Sequence, residues 1–413
     1  MADKTSENRV ASERAHVLNP GRAAGRAYPE DLTEFLNPAQ AKQAFETVTA
    51  WPGYAPTPLH KLDGLAAAVG VGDVWYKDES HRFGLDSFKA LGGAYAVAQV
   101  LTRKLREQHR DPHISVTDLR SALFLEDISK VTVCCATDGN HGRAVAWGAR
   151  TYGCSANIFV HANVTKDRIQ AMERFGANVV QIEGNYDESV RYAAEQASAN
   201  GWIVVSDTAY EGYTTIPGDV MHGYTVMVAE LLEQLDDHRP THVVVPGGVG
   251  GVAAAVTAAC WWHYGAELPR IVVVEPDNAA CLMESAHYQS RRALVGDIET
   301  VMAGLSCGEP SLTAWPILQA GASDFVVVTD TAACDAMRTM AEGVDKDSPV
   351  VSGESAASVV ACLQLAAAQP ELYSELGLGT ESSVLLIGTE GATDPSVYLH
   401  VVGKTAEQVI SAA

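Results

Sequence analysis

A lysine, an aspartate-bearing glycine turn and a glycine loop are the parts of this sequence best equipped for chemistry. The run Thr137-Asp138-Gly139-Asn140-His141-Gly142-Arg143 sets the carboxylate of Asp138 inside a tight turn. Upstream, Lys89 lies in Phe88-Lys89-Ala90-Leu91-Gly92-Gly93, otherwise apolar and small residues that predict the buried start of a helix. A lysine there is costly to bury charged, so it should either reach solvent or have a lowered pKa suited to Schiff-base chemistry. Downstream, Gly247-Gly248-Val249-Gly250-Gly251 joins an expected strand to an expected helix. Glycine lets the backbone approach a ligand, and the first N–H groups of a helix point at an anion that the helix dipole also favours. The loop is therefore a phosphate cradle or a tight connection. It matches neither GxGxxG with a later acid nor GxxxxGKS, so dinucleotide and P-loop readings are weak. A reactive lysine together with a phosphate cradle is what pyridoxal phosphate requires.

Positioning these groups falls to short Val/Ile-rich runs alternating with Ala-rich stretches, the pattern of parallel strands joined by crossover helices. Strands are predicted at 73–77, 130–136, 156–160, 178–182, 203–206, 241–246, 270–275, 324–329 and 383–388. Functional groups in such open sheets sit at the carboxyl ends of the strands. The 413 residues exceed what one core usually serves, and a hydrophobic fraction of 47% supplies ample core. A net charge of −22 argues against a nucleic acid or an anionic membrane surface as partner. Residues 1–16 are polar and lack the apolar core of a signal peptide, so a cytoplasmic location is expected. The apolar run 252–262, interrupted by Thr257, predicts a buried helix rather than a membrane span. Eight cysteines without a CxxC spacing indicate neither a zinc site nor a disulfide framework. No His, Cys and acid side chains cluster at ligand spacing, and no catalytic metal is expected.

Taken together, Ser87-Phe88-Lys89, Gly139-Asn140-His141-Gly142 and Gly247-Gly248-Val249-Gly250-Gly251 resemble the tryptophan-synthase-β-like family, fold type II of the pyridoxal-phosphate enzymes. Within it, the runs 82–93, 137–143, 207–212, 302–310 and 389–395 resemble the diaminopropionate ammonia-lyases, and the resemblance spans 54–395. It implies an α/β fold of two open, twisted, mostly parallel sheets flanked by helices. A small domain, 111–217, would be inserted into a large one made from 1–110 and 218–413, and the molecule would be a homodimer. Carried over by position, Lys89 would hold pyridoxal 5'-phosphate covalently, and Gly247, Gly248, Val249, Gly250 and Gly251 would bind its phosphate. Asn140 would hydrogen-bond the phenolic oxygen, while Thr137, Asp138, Gly139 and His141 would receive the substrate carboxylate. Thr389 would set a hydroxyl beside the pyridine nitrogen. A hydroxyl can leave that nitrogen unprotonated, and the resulting weaker electron sink suits elimination.

The acids narrow the substrate. In the serine and threonine dehydratases of this fold, the position of Asp138 generally carries a small residue. A substrate with a second amine would be cationic, and Asp138 and Asp207 could pair with its ammonium or exchange protons with it. On the residues alone, Asp138 could equally form an Asx turn and Asp207 a helix cap before Thr208. The resemblance implies elimination of 2,3-diaminopropionate, D or L, to pyruvate and two ammonia, with Lys89 the base for the L form and Asp138 for the D form. The alternatives are another lyase, dehydratase or β-replacement enzyme of this fold, or a ligand-binding α/β protein without turnover. Two departures lie near the cofactor: Asp86-Ser87 stands where the family more usually has Asn-Ala, and Gly251 where Ser is frequent. The turn gives His141 a packing and hydrogen-bonding role. The resemblance also brings Cys281 and Cys307 near the site entrance, as two thiols or as a bridge.

Overall fold

The computed structural model describes residues 14–23, 25–137 and 139–412, apart from the Asp187 side chain. Asp138 therefore lies outside the described residues. The strands are β1 (His16–Leu18), β2 (Leu59–Lys61), β3 (Asp73–Asp78), β4 (Thr132–Ala136), β5 (Ser155–Val160), β6 (Asn178–Gln181), β7 (Ile203–Val204), β8 (His242–Pro246), β9 (Arg270–Pro276), β10 (Asp324–Val328) and β11 (Ser383–Gly388). They form a seven-stranded sheet, β1-β10-β9-β8-β11-β3-β2, and a four-stranded sheet, β6-β5-β4-β7. Every pairing is parallel except those of the two edge strands β1 and β2.

Strands β8, β10 and β11 are buried along their whole length, as parallel strands covered by helices on both faces must be. Their unbroken Val/Ile/Leu runs are what made them legible. Each predicted strand forms, with small shifts at the ends: β4 starts at Thr132 and β7 stops at Val204. The antiparallel edges β1 and β2 were not anticipated, because three residues are too few to show a period.

Five helices position the site: α1 (Lys89–His109), α2 (Asn140–Tyr152), α3 (Lys166–Glu173), α4 (Thr215–Leu235) and α5 (Gly251–Tyr264). The expected buried helix at 252–262 is α5, whose residues from Gly251 to Trp261 are all buried. Helix α1 is packed between α2 and α4, and small residues let the backbones approach. A Cβ on Gly148 would stand 2.8 Å from Ala94 Cα, and one on Gly223 only 2.2 Å from the Leu91 carbonyl oxygen. The lysine-bearing helix is thus clamped between α4 and the first helix of the four-stranded unit. Among the described residues no helix is long and apolar enough to cross a membrane.

A buried ion cluster fixes the loop that leads into α1. Arg82 donates to both oxygens of Glu230 on α4, each at 2.7 Å, and to both oxygens of Glu79, at 2.8 and 2.9 Å. Lys77 of β3 reaches the same Glu230 at 3.1 Å. All four side chains are 1% exposed or less. Isolated charges in such surroundings would be prohibitively costly, so the cluster holds only as a complete set.

Candidate active site

Lys89 is the first residue of α1, which follows the loop after β3, and that loop is pinned to the carboxyl end of the neighbouring strand β11. Phe88 N donates to the Thr389 carbonyl at 3.0 Å and Gly391 N to the Asp86 carbonyl at 2.9 Å, with Ser87 and Glu390 bridged between them. The Lys89 ammonium meets Asp207, on the loop after β7, at 2.6 Å; the two side chains are 19% and 17% exposed. This corrects the expectation for the lysine, which neither escapes to solvent nor has a lowered pKa. Burial disfavours its charge, but Asp207 beside it pushes the amine well above its ordinary value. Burial likewise works to raise the Asp207 carboxyl, and Lys89 with His141 holds it well below the usual carboxylate range. Nor is Asp207 a helix cap: the next helix is α4, which starts only at Thr215. Lys77, the nearest lysine before Lys89 in the chain, is committed to Glu230, Gln234 and the Thr57 carbonyl in the buried cluster.

The turn before α2 is shaped by Thr137, whose hydroxyl oxygen accepts from Gly139 N at 3.1 Å and Gly142 N at 3.2 Å. His141 is buried, and its Nε2–H donates to the Val205 carbonyl at 2.8 Å. That bond aims Nδ1 at Asp207 Oδ2, 3.8 Å away. Burial lowers the His141 pKa against the pull of Asp207. The hydrogen-bonding role expected for His141 is therefore present, with one ring nitrogen facing the lysine–aspartate pair. Asn140 donates through Nδ2 to Glu390 Oε2.

The glycine loop follows β8 and opens α5, as expected. Gly247 N donates to the Val274 carbonyl at 2.8 Å, the last ladder contact, and Gly250 N turns back to the Gly247 carbonyl at 3.1 Å. Gly248 and Gly250 have φ of +59° and +96°, a region that favours glycine. The amides of Gly248, Val249 and Gly251 have no protein acceptor among the described residues. Donors at a helix start are what an anion needs. Tyr224 of α4 links loop and lysine: a Cβ on Gly251 would lie 3.8 Å from its ring, and Lys89 Nζ is 5.9 Å from the ring centroid. A primary amine, an anion cradle and the Asn140 amide therefore fit pyridoxal phosphate. Thr389, on the same strand end, is buried. No disulfide joins Cys281 and Cys307, and the Cys281 thiol lies 3.7 Å from the Gly248 carbonyl.

Three charged residues at this place carried no role in the sequence reading: Glu390, Glu354 and Arg168. Arg168 of α3 binds Glu354 at 3.0 Å and Asp394 at 3.2 Å, joining the four-stranded unit to loops of the larger sheet. Glu390 offered a signal, a carboxylate between a strand end and a glycine. Glu354 and Arg168 are remote in sequence and offered none. Among the described residues, no three His, Cys, Asp or Glu side chains converge as a metal site. A surface cavity of about 810 Å³ lies between 60–68 and 344–348 and shares no lining residue with this site. It is the chemistry of the groups, not cavity size, that locates the site.

Residues 50–376 match the family model described as pyridoxal-phosphate dependent enzyme. The diaminopropionate ammonia-lyase of Escherichia coli K12 is 38% identical over 386 residues, which cover 92% of this chain and 95% of that protein. The crystal structure of the Escherichia coli diaminopropionate ammonia lyase in complex with an aminoacrylate-PLP azomethine reaction intermediate superposes with a TM-score of 0.83 at 37% identity, covering 94% of this chain and 96% of that one. The structure of the same enzyme in complex with D-serine gives a TM-score of 0.83 at 36% identity, covering 95% and 97%.

Proposed function

The chain belongs to the pyridoxal-phosphate-dependent enzyme family, and from that premise we propose that it eliminates 2,3-diaminopropionate, in the D or L form, to pyruvate and two ammonia. The observation that carries this reading is the Lys89–Asp207 pair, 2.6 Å apart, at the end of β11 and across Tyr224 from the glycine loop. Support comes from the identity of 38% to the Escherichia coli diaminopropionate ammonia-lyase over nearly the whole chain.

Bound pyridoxal phosphate supplies an electron sink that makes the substrate Cα–H acidic and its β-substituent expellable. Lys89 would hold it, the Gly247–Gly251 loop its phosphate through the amides of Gly248, Val249 and Gly251, Asn140 its phenolic oxygen and Thr389 its pyridine nitrogen. The rest is done by side chains of this chain. Lys89 takes the Cα proton of the L form, and Asp207, already hydrogen-bonded to the amine, stabilises the ammonium that results. Asp138 takes the Cα proton presented on the opposite face by the D form. The turn Thr137–His141, at the start of α2, receives the substrate carboxylate, and Asp138 and Asp207 pair with the β-ammonium. The Cβ–N bond breaks to release the first ammonia; hydrolysis of the unsaturated amine consumes one water and gives pyruvate and the second.

The division into 1–110, 111–217 and 218–413 is part of this reading, supported by the four-stranded sheet, whose strands all lie within 132–204. A reducing, cytoplasmic setting is in keeping with eight cysteines that form no disulfide. The homodimer rests on the family resemblance. The test is pyruvate release over a panel of 2,3-diaminopropionate, serine, threonine, cysteine and hydroxyaspartate. 2,3-Diaminopropionate should give the highest kcat/KM, and a clear preference for a hydroxy amino acid would overturn the assignment.

A further inference from the structure

We propose that Glu390 is a positioning residue that fixes the amide orientation of Asn140 and so presents Asn140 Nδ2 as the hydrogen-bond donor to the cofactor's phenolic oxygen. The proposal rests on the role given to Asn140 above and extends it to a residue two loops away.

Glu390 follows Thr389 at the end of β11 and is 4% exposed. Its backbone is held on both sides: Gly353 N donates to its carbonyl at 3.0 Å, and it bridges Ser87 two residues before Lys89. Its Oε1 accepts from Ser355 N at 3.0 Å, and its Oε2 accepts from Asn140 Nδ2. A backbone N–H only donates, and an ionised carboxylate only accepts. An asparagine amide has oxygen and nitrogen ends of nearly equal size, so sterics alone do not decide which end faces which way. Glu390 decides it, because only the nitrogen end can face a carboxylate. Asn140 Nδ2 then keeps a second N–H for a ligand acceptor.

A second buried acid, Glu354, lies beside Glu390. Glu354 is 1% exposed, with one oxygen on Arg168 at 3.0 Å and the other without a partner among the described residues. Burial, and then the charge of Glu390, push its carboxyl up to about 8. Ser355 N on Oε1 and Asn140 Nδ2 on Oε2 are both donors, so both Glu390 oxygens act as acceptors.

The substitution Glu390→Gln preserves volume and reverses one end. Ser355 N claims the glutamine oxygen, leaving its NH₂ facing Asn140 Nδ2, and the asparagine must flip to relieve the conflict. We compare the wild-type holoenzyme with E390Q, N140A and the double variant, reading the visible absorption band of the bound cofactor at fixed pH, kcat and KM separately, and Tm. E390Q should shift the band in the same direction as N140A and lower kcat about ten- to a hundredfold with little change in KM, the value of one hydrogen bond to a charged group. The double variant should be no worse than N140A alone. A second pair guards against a merely structural explanation. In E390Q/N140D the glutamine NH₂ can donate to the new carboxylate, restoring the contact with reversed polarity and no donor for the cofactor. Tm should recover there while the band and kcat stay displaced. An unshifted band in E390Q beside a shifted one in N140A, additive losses in the double variant, or recovery of kcat in E390Q/N140D would each overturn the role of Glu390. An unshifted band in N140A would instead overturn the role of Asn140 on which it rests.

Discussion

At the scale of single residues, the proton on Lys89 is the central quantity. In the folded protein Asp207 holds the amine above its ordinary value, so at neutral pH the lysine is charged. Asp207→Asn removes that counter-charge and leaves burial, which acts in the opposite direction, so the folded pKa must fall. The neutral fraction at pH 8 then rises. The rate at which apoenzyme captures pyridoxal phosphate on Lys89, followed against pH, should have its midpoint about one unit or more lower in the variant; an unmoved midpoint would separate Asp207 from the lysine. Asp138→Asn tests the opposite face. It retains hydrogen bonding at the turn but loses a proton acceptor, and turnover of the D substrate should fall by about 10²–10⁴. The L substrate, served by Lys89, should fall less; equal losses would mean that Asp138 recognises the ammonium rather than moving the proton. The sequence exposed Lys89 and the glycine turn because unusual residues stood in local patterns. It could not expose the state of the lysine, which is set by a partner 118 residues away.

At the scale of elements, parallel strands were readable because burial on both faces demands continuous Val and Ile, whereas the edges β1 and β2 gave no such run. What local reading lacked was the reason for glycines within helices. Gly148 in α2 looks replaceable, since alanine is the better helix former by about 1 kcal/mol. The Ala94 backbone 2.8 Å from its missing Cβ reverses that expectation. Gly148→Ala should destabilise by a net ~1–3 kcal/mol through overpacking of α1 on α2, measured by denaturant unfolding; a gain in stability would show that the helices can separate without cost. The buried cluster makes a larger claim. Glu230→Ala leaves Arg82 and Lys77 with one carboxylate fewer inside the protein, and stability should drop by about 3–5 kcal/mol. Arg82 and Glu230 stood on separate elements, 148 residues apart, and nothing in either run announced the pairing.

At the scale of the whole molecule, two sheets meet at the site. The larger brings Lys89, the glycine loop and Thr389 to strand ends, and the smaller contributes Asn140, His141 and Asp207. Strand–helix alternation indicated the fold class, and the ordered motifs indicated which groups the loops carry. The joints between the two units, Arg168 with Glu354 and Asp394 and Asn140 with Glu390, emerged only from the folded chain. The account stands on elimination from a substrate with two amines, and its stoichiometry is specific. With homogeneous holoenzyme and D- or L-2,3-diaminopropionate, pyruvate and ammonia should be measured in the same reaction. Two ammonia for each pyruvate, at a kcat/KM above that for serine, is the predicted result. Failure of both enantiomers to yield pyruvate while serine or threonine does so would contradict it.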